Sequence, residues 1–298
     1  MFTVEDAFLK FKSRLELRPN ESADVIRRHN EVREVIRAKF SVDRDFLTGS
    51  YARHTKTKPL QDVDVFCVLN KEKEGHYLDE PSSKLVEDFR KVLADHYGKE
   101  NVCSDERCVT VRFGTPTGGE EEEEKVFSID VVPAFDAGRA YKIPDSGSTE
   151  DWLKTDPEIH AEEATAANKA FNEQWKPVVK MIKKWNRNHG RPVPTSFLLE
   201  VMALDILYPP FSSGYARELK SFFATAAGRI YETWEDPAGV GPAVSHGLTD
   251  VQRATASAKM IETGKAIDQA ILLKKQGKEG EALRVWRERV FGPMFPLS

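Results

Sequence analysis

Apolar residues recur at three- and four-residue spacing through the first forty positions: Val4, Phe8, Phe11 and Leu15, then Val25, Ile26, Val32, Val35 and Ile36, set among charged residues. The spacing predicts two helices or one broken helix, with Pro19-Asn20-Glu21-Ser22 as the break and Ser22 as the cap of the second segment. From residue 45 to about 135 the pattern changes to short runs rich in β-branched and aromatic residues: Phe46-Leu47, Val63 to Leu69, Cys108 to Phe113 and Val126 to Val132. Leu85, Val86, Phe89, Val92 and Leu93 return to helical spacing within Ser83 to Tyr97. The predicted order is strand, strand, helix, strand, strand, an alternation of α and β elements.

Residues 114–124 join two of these strands with turn formers and a run of five glutamates, which reads as a solvated hairpin loop rather than a metal site. After Asp145-Ser146-Gly147-Ser148 the pattern is helical, over 161–189, 195–207, 214–234 and 249–290. This predicts two domains, 1–150 including the N-terminal helices and 151–298. No internal repeat stands out.

Composition narrows the class without naming a function. The 298 residues suffice for two modest cores, and 40% hydrophobic with 31% charged is the balance of a folded globular protein. No apolar run approaches the roughly 18 to 20 residues that cross a bilayer. The N-terminus lacks a basic stretch followed by an apolar one, so a cytoplasmic location and no membrane partner are expected. Three cysteines, Cys67, Cys103 and Cys108, are too few and odd in number for a disulfide framework and are expected as reduced thiols. The histidines show no zinc-ligand spacing, and His54 is expected at the surface. A formal charge of −4 suits a small-molecule enzyme better than stable binding to a long nucleic acid.

The chemistry concentrates in Thr48-Gly49-Ser50-Tyr51-Ala52-Arg53-His54-Thr55 and, shortly after, Asp62-Val63-Asp64. Alternation along a strand puts Asp62 and Asp64 on one face, and two such carboxylates at close quarters call for a cation. Hard oxygen donors select Mg²⁺, with Mn²⁺ as the alternative. Gly49-Ser50 lies between a strand and a helix, where backbone N–H groups and a hydroxyl can hold phosphate oxygens. In-line displacement at a phosphate held by two metals asks for a third acid. Asp130, within the apolar run Val126 to Val132, answers that need, because a lone carboxylate there is costly unless it faces a site. A Gly-Ser pair alone is a common turn and an Asp-x-Asp alone is common on exposed strands. The ordered set is far more specific.

This set resembles the signature of the polymerase β-like nucleotidyltransferases, and Gly49-Ser50-Tyr51-x-Arg53-x-Thr55 narrows the match to the bacterial cGAS/DncV-like nucleotidyltransferases, which resemble the animal oligoadenylate synthetases. The resemblance implies an α+β fold: a polymerase β-like core with a mixed sheet and helices over 1–150, and an oligoadenylate-synthetase-like helical domain that binds nucleotide over 151–298. On Trp175 to His189, Lys176, Lys180, Lys183, Lys184 and Arg187 form a basic stripe that charge pattern alone reads as a solvated face. Lys183-Lys184-Trp185-Asn186 looks like the family's Lys-x-Trp helix, which implies that Lys183 contacts triphosphate. At the following helix start Thr195 or Ser196 reads as an N-cap; the family's matching Ser-Phe-x-Leu-Glu implies that Ser196 contacts phosphate and Phe197 approaches a base. Asp156-Pro157 with His160 and Asn168, and the closing Val290 to Pro296, look like family features with structural roles.

The implied activity is a metal-dependent joining of nucleoside triphosphates, ATP among them, into a cyclic di- or oligonucleotide with release of pyrophosphate, in bacterial anti-phage signalling. Asp62, Asp64 and Asp130 are the expected metal ligands and catalytic residues, Asp130 as base, and regulatory or effector proteins of a defence operon are the expected partners. The rival enzymes are a linear oligoadenylate synthetase or a transferase of the tRNA or poly(A) type. The rival from another class is an inactive nucleotide-binding regulator.

Overall fold

The structure, a computed structural model, describes residues 2–60, 62–113 and 127–298. The glutamate-rich loop expected over 114–124 lies outside the described residues. The chain divides into two compact units. One comprises Leu17–Ala161 with Ala238–Gly241; the other comprises Glu162–Pro237, Pro242–Ser298 and the N-terminal segment through Glu16. This differs from the expected division near residue 150.

The first unit is a seven-stranded mixed sheet with helices. After helix α1 (Val4–Arg14), which groups with the other unit, its elements are α2 (Pro19–Arg37), β1 (Val42–Thr48), the single turn α3 (Gly49–Ala52), β2 (Asp62–Leu69), α4 (Lys71–Glu74) and α5 (Ser82–Tyr97). Strands β3 (Val102–Ser104), β4 (Val109–Phe113), β5 (Phe127–Asp136), β6 (Tyr141–Asp145) and β7 (Asp151–Thr155) follow. The sheet runs β1-β2-β5-β4-β3; β6 extends it from the far end of β5, and β7 pairs with β6. Among the described residues the central β2–β5 pair is parallel and the other pairs are antiparallel. Val63, Val65, Ile129, Val131, Val109 and Val111 are fully buried. Most of them join Leu85, Val86, Phe89 and Leu93 of α5 and Val32 and Ile36 of α2 in one core. Val-rich strands and an amphipathic helix bury each other in this way because each presents one apolar face.

Several expected boundaries move. Helix α2 begins at Pro19, with Arg18 in the cap position, so Pro19 opens the helix rather than breaking it and Ser22 is inside its first turn. Proline fits there because the first N–H of a helix has no partner to lose. Asp145 to Ser148 is the turn of the β6–β7 hairpin, closed by Ser148 N donating to Asp145 O at 2.8 Å, and the turn formers that read as an interdomain linker serve the sheet.

The second unit is helical: α6 (Pro157–Ala170), in which the chain passes from the first unit, then α7 (Trp175–Asn188), α8 (Ser196–Ile206), α9 (Tyr215–Arg229), α10 (Asp250–Lys275), α11 (Glu279–Val285) and a π-helical turn over Trp286–Phe291. The helix expected through 249–290 is interrupted at Gly277, whose φ is 75°. Helix α1 belongs to this unit and not to the sheet. Phe8 stands 4.8 Å from Trp286, ring centre to ring centre, and Phe11 stands 4.7 Å from Phe291 and 5.3 Å from Phe295. The apolar spacing of α1 showed that one face is buried but carried no information about what covers it.

Helix α7 is buried almost all round. Lys180, Lys183 and Lys184 expose only 4, 4 and 6%, so the basic stripe is not a solvated face. The physical reason is pairing: Lys180 reaches Glu16, and Lys183 Nζ donates to Glu200 Oε1 at 2.8 Å. Asp156 and Asn168 have the expected structural roles, Asp156 Oδ1 accepting from Glu158 N at the start of α6 and Asn168 Oδ1 from Lys176 N at the start of α7.

If α1 completes the helical core, Phe11→Ala lowers unfolding free energy by about 3–5 kcal/mol in urea melts followed by tryptophan fluorescence. Native-state hydrogen exchange then accelerates in α11 and α7 while β2 and β5 keep their protection. A loss under about 1 kcal/mol contradicts this packing.

Candidate active site

The strand registers assemble one polar row across the sheet. Thr48 lies opposite Asp64 in the β1–β2 pair, Asp64 beside Asp130 in the β2–β5 pair, and Asp130 opposite Thr110 in the β4–β5 pair. Partners in register point to the same face, so these four side chains share one face of the sheet. Asp62, two residues before Asp64, shares it with its partner Ser128. The neighbours Val63, Val65, Ile129 and Val131 point to the opposite face and are fully buried. Two residues beyond Asp64 the same face becomes apolar, with Phe66, Val68, Ala134, Tyr141 and Ile143 forming a small second core. The acids therefore occupy the polar end of a largely buried surface.

Strand β1 delivers the chain into the turn beside them. Gly49 has φ of +61°, and a β-carbon placed on it would overlap Asp64 Oδ2. Glycine is demanded twice here, by the left-handed backbone and by the carboxylate packed against it. The turn is closed by its own backbone: Ser50 O accepts from Thr55 N and Lys56 N, each at 3.0 Å. In such a turn the leading N–H groups have no partner inside the helix, which is the arrangement that receives anions. Thr48, Arg53, Thr55 and Thr57 are buried, whereas His54 is exposed as expected. The Lys56 ammonium lies 4.6 Å from the Tyr51 ring centre.

Asp130 is the electrostatically strained member. Burial pushes its carboxyl above the ordinary 3.8, a hydrogen bond from Thr110 pulls it down, and the charges of Asp62 and Asp105 push it up again. The bond runs from Thr110 Oγ1 to Asp130 Oδ1 at 2.7 Å. Three carboxylates on one face, with one destabilised by the charge of another, form a hard-oxygen donor set suited to a divalent cation. Among the described residues no three His, Cys, Asp or Glu side chains are already drawn into a ligand cluster. The aspartates are thus brought together by register, not closed around a point.

The remaining expected site residues belong to the helical unit. Lys183 is buried and paired with Glu200. Ser196 and Phe197, both half-buried, form the first turn of α8, and Ser196 lies one turn before Glu200 on the same face. Thr195 holds the N-cap position without a capping bond from its side chain. Thr110 was not picked out from the sequence, and Thr48 was quoted only as the first residue of the turn segment, because their place in the row is set by strand register, which exists only once the strands have paired.

A model of the Second Messenger Oligonucleotide or Dinucleotide Synthetase domain matches residues 1–168, more than half of the chain and all of the sheet unit's main segment. The chain belongs to this family. The synthetase chain is 28% identical, over 83% of its length and 81% of the relative's, to a probable cyclic nucleotide synthase of Bacillus cereus. It is 26% identical, over its whole length and 87% of the relative's, to a cyclic AMP-AMP-AMP synthase of an Acinetobacter species. Its fold matches that of Escherichia coli CdnC, solved with ATP, at a TM-score of 0.72 and 21% identity, covering 98% of both chains. Vibrio cholerae DncV matches at 0.63 and 14% identity, over 85% of this chain and 70% of that one. The synthetase is thus a cGAS/DncV-like nucleotidyltransferase with the polymerase β-like fold. Among its described residues no helix is long and apolar enough to cross a membrane.

Gly49→Ala is expected to displace the Asp64 carboxylate, lowering turnover by about 10²-fold or more. The left-handed backbone adds a stability loss of about 1 kcal/mol or more. Wild-type turnover in this variant places the reacting groups elsewhere. Asp130 supplies a test in pH. A carboxyl raised in the folded chain stabilises the fold below its ordinary 3.8 and loses that contribution as pH rises through the raised value. In metal-free protein Asp130→Asn therefore melts higher than wild type at pH 7–8, and the gap closes toward pH 4. Calorimetry in EDTA checks this; a lower melting temperature for the variant at pH 8 contradicts it.

Proposed function

We propose that this synthetase joins nucleoside triphosphates, ATP among them, into a cyclic di- or oligonucleotide with release of pyrophosphate, and that the product serves bacterial anti-phage signalling. The observation that carries the chemistry is the row Thr48-Asp64-Asp130-Thr110 with Gly49 packed on Asp64. A cyclic product is supported by the names of the two relatives that align over four-fifths or more of the chain.

Asp62, Asp64 and Asp130 would hold Mg²⁺, or Mn²⁺ in its place. When bound, such an ion offsets the repulsion among the carboxylates and the triphosphate and acidifies a coordinated hydroxyl. The turn at Gly49-Ser50 binds phosphate oxygens through backbone N–H groups and the Ser50 hydroxyl. Asp130, on the same face as Asp62 and Asp64, takes the proton of the acceptor ribose hydroxyl. That oxygen bonds to the α-phosphorus as the bond to pyrophosphate breaks. A second round within the linear intermediate closes the ring. In the helical unit Lys183, Ser196 and Phe197 contact the nucleotide, with Glu200 holding the Lys183 ammonium in place. A regulatory protein is the proposed partner, supported by the E. coli CdnC structure in complex with HORMA-deltaN. The reaction is proposed to take place in the cytoplasm.

Purified protein is incubated with labelled triphosphates, singly and mixed, with Mg²⁺ or Mn²⁺, then treated with phosphatase and resolved by liquid chromatography and mass spectrometry. The expected product resists phosphatase and carries one phosphate per nucleoside. Phosphatase-sensitive oligomers would instead establish a linear synthetase. The double change Asp62→Asn with Asp64→Asn is expected to lower turnover by about 10³-fold or more, the loss of several kcal/mol of charge stabilisation, at unchanged or higher melting temperature. Retained turnover moves the site.

A further inference from the structure

The reading of Asp130 as a ligand leaves open what orients it. A carboxylate turns about a broad, nearly two-fold torsion, so strand register fixes where the group is attached but not how its two oxygens face. Across the β4–β5 pair the structure supplies a fixed donor. Thr110 stands directly opposite Asp130, and its hydroxyl donates to Oδ1 at 2.7 Å. A threonine hydroxyl has one proton to give, and the branched side chain is stiff about its first torsion on a strand. The flanking Val109 and Val111 are fully buried on the opposite face, which holds β4 in register. The donor is therefore held at one place on the strand beside Asp130.

We propose that Thr110 is a positioning residue of this active site, fixing Asp130 through Oδ1 so that Oδ2 is the oxygen presented to a divalent cation. The inference rests on the reading of Asp130 as a metal ligand, and the test separates the two. Partners that orient metal-bound carboxylates typically alter metal affinity or activity by about 10- to 100-fold when removed. Thr110 touches no reacting atom on this account and acts only through Asp130.

The full chain, stripped with EDTA, is titrated with Mn²⁺ in the presence of a saturating non-hydrolysable ATP analogue, and free Mn²⁺ is read by electron paramagnetic resonance. Thr110→Val keeps the shape and removes the hydroxyl, Thr110→Ser keeps the hydroxyl, and Asp130→Ala removes the ligand. The expected result is an Mn²⁺ Kd raised about 10- to 100-fold in Thr110→Val, restored to within about threefold of wild type in Thr110→Ser, with both melting within a few degrees of wild type. Wild-type affinity in Thr110→Val beside a loss in Asp130→Ala overturns the positioning role and leaves the ligand standing. Wild-type affinity in both overturns the ligand assignment and the inference together. Equal losses in Thr110→Val and Thr110→Ser show that the hydroxyl is not the cause and also overturn the proposal. Should Thr110→Val fail to fold, Thr110→Ala removes the same bond and is judged by the same comparisons.

Discussion

The parallel pairing of β2 with β5 is the constraint on which the site depends. It sets Asp64 beside Asp130 and Asp62 beside Ser128, while Val63 and Val65 match Ile129 and Val131 on the other face. Side chains alternate with a period of two, so a slip of one residue would drive the carboxylates into the core and turn the valines out. Burying an unpaired carboxylate costs several kcal/mol, and exposing the valines forfeits their burial as well. The hydrophobic pattern thus enforces the register that aligns the carboxylates. Antiparallel neighbours on either side extend the same logic, bringing Thr48 and Thr110 into the row from outside.

The row is not a comfortable one for a folded protein. Asp130 is held above its ordinary range by burial and by the charge of Asp62, with the Thr110 hydroxyl as partial compensation. Gly49 is wedged against Asp64 in a backbone conformation that other residues avoid. Each is a local cost, and the surrounding Val-rich core is what makes it tolerable. An arrangement in which like charges are forced together by packing is stabilised by anything that binds between them. The cation proposed as its occupant is of that kind.

Much of this was legible beforehand, and the pattern of what was not is physical. Helix α5, strand β2 and the acid pair were visible because their signals are local: helical spacing in Leu85 to Leu93, β-branched alternation around Asp62 and Asp64, a turn at Gly49. The three-residue strand β3 and the β6–β7 hairpin were not, because Val102–Ser104 is too short for a period to register and Asp145 to Ser148 carries the same residues a linker would. The grouping of α1 with the helical unit was invisible for a different reason, since Phe8 and Phe11 meet Trp286, Phe291 and Phe295 across more than 270 residues of chain. Amphipathicity reports that a face is buried and is silent about its partner.

Helix α7 shows where that silence matters for function. Lys180, Lys183 and Lys184 look like a solvated stripe by spacing, yet all three are inside the fold. Apolar residues of similar volume in place of a buried ion pair are often as stable or more so, and removing one partner alone is strongly destabilising. The Lys183–Glu200 pair is therefore weak as an explanation of stability. The proposed role of Lys183, a charge held at a fixed place for an anionic ligand, supplies a reason for the pair that stability does not.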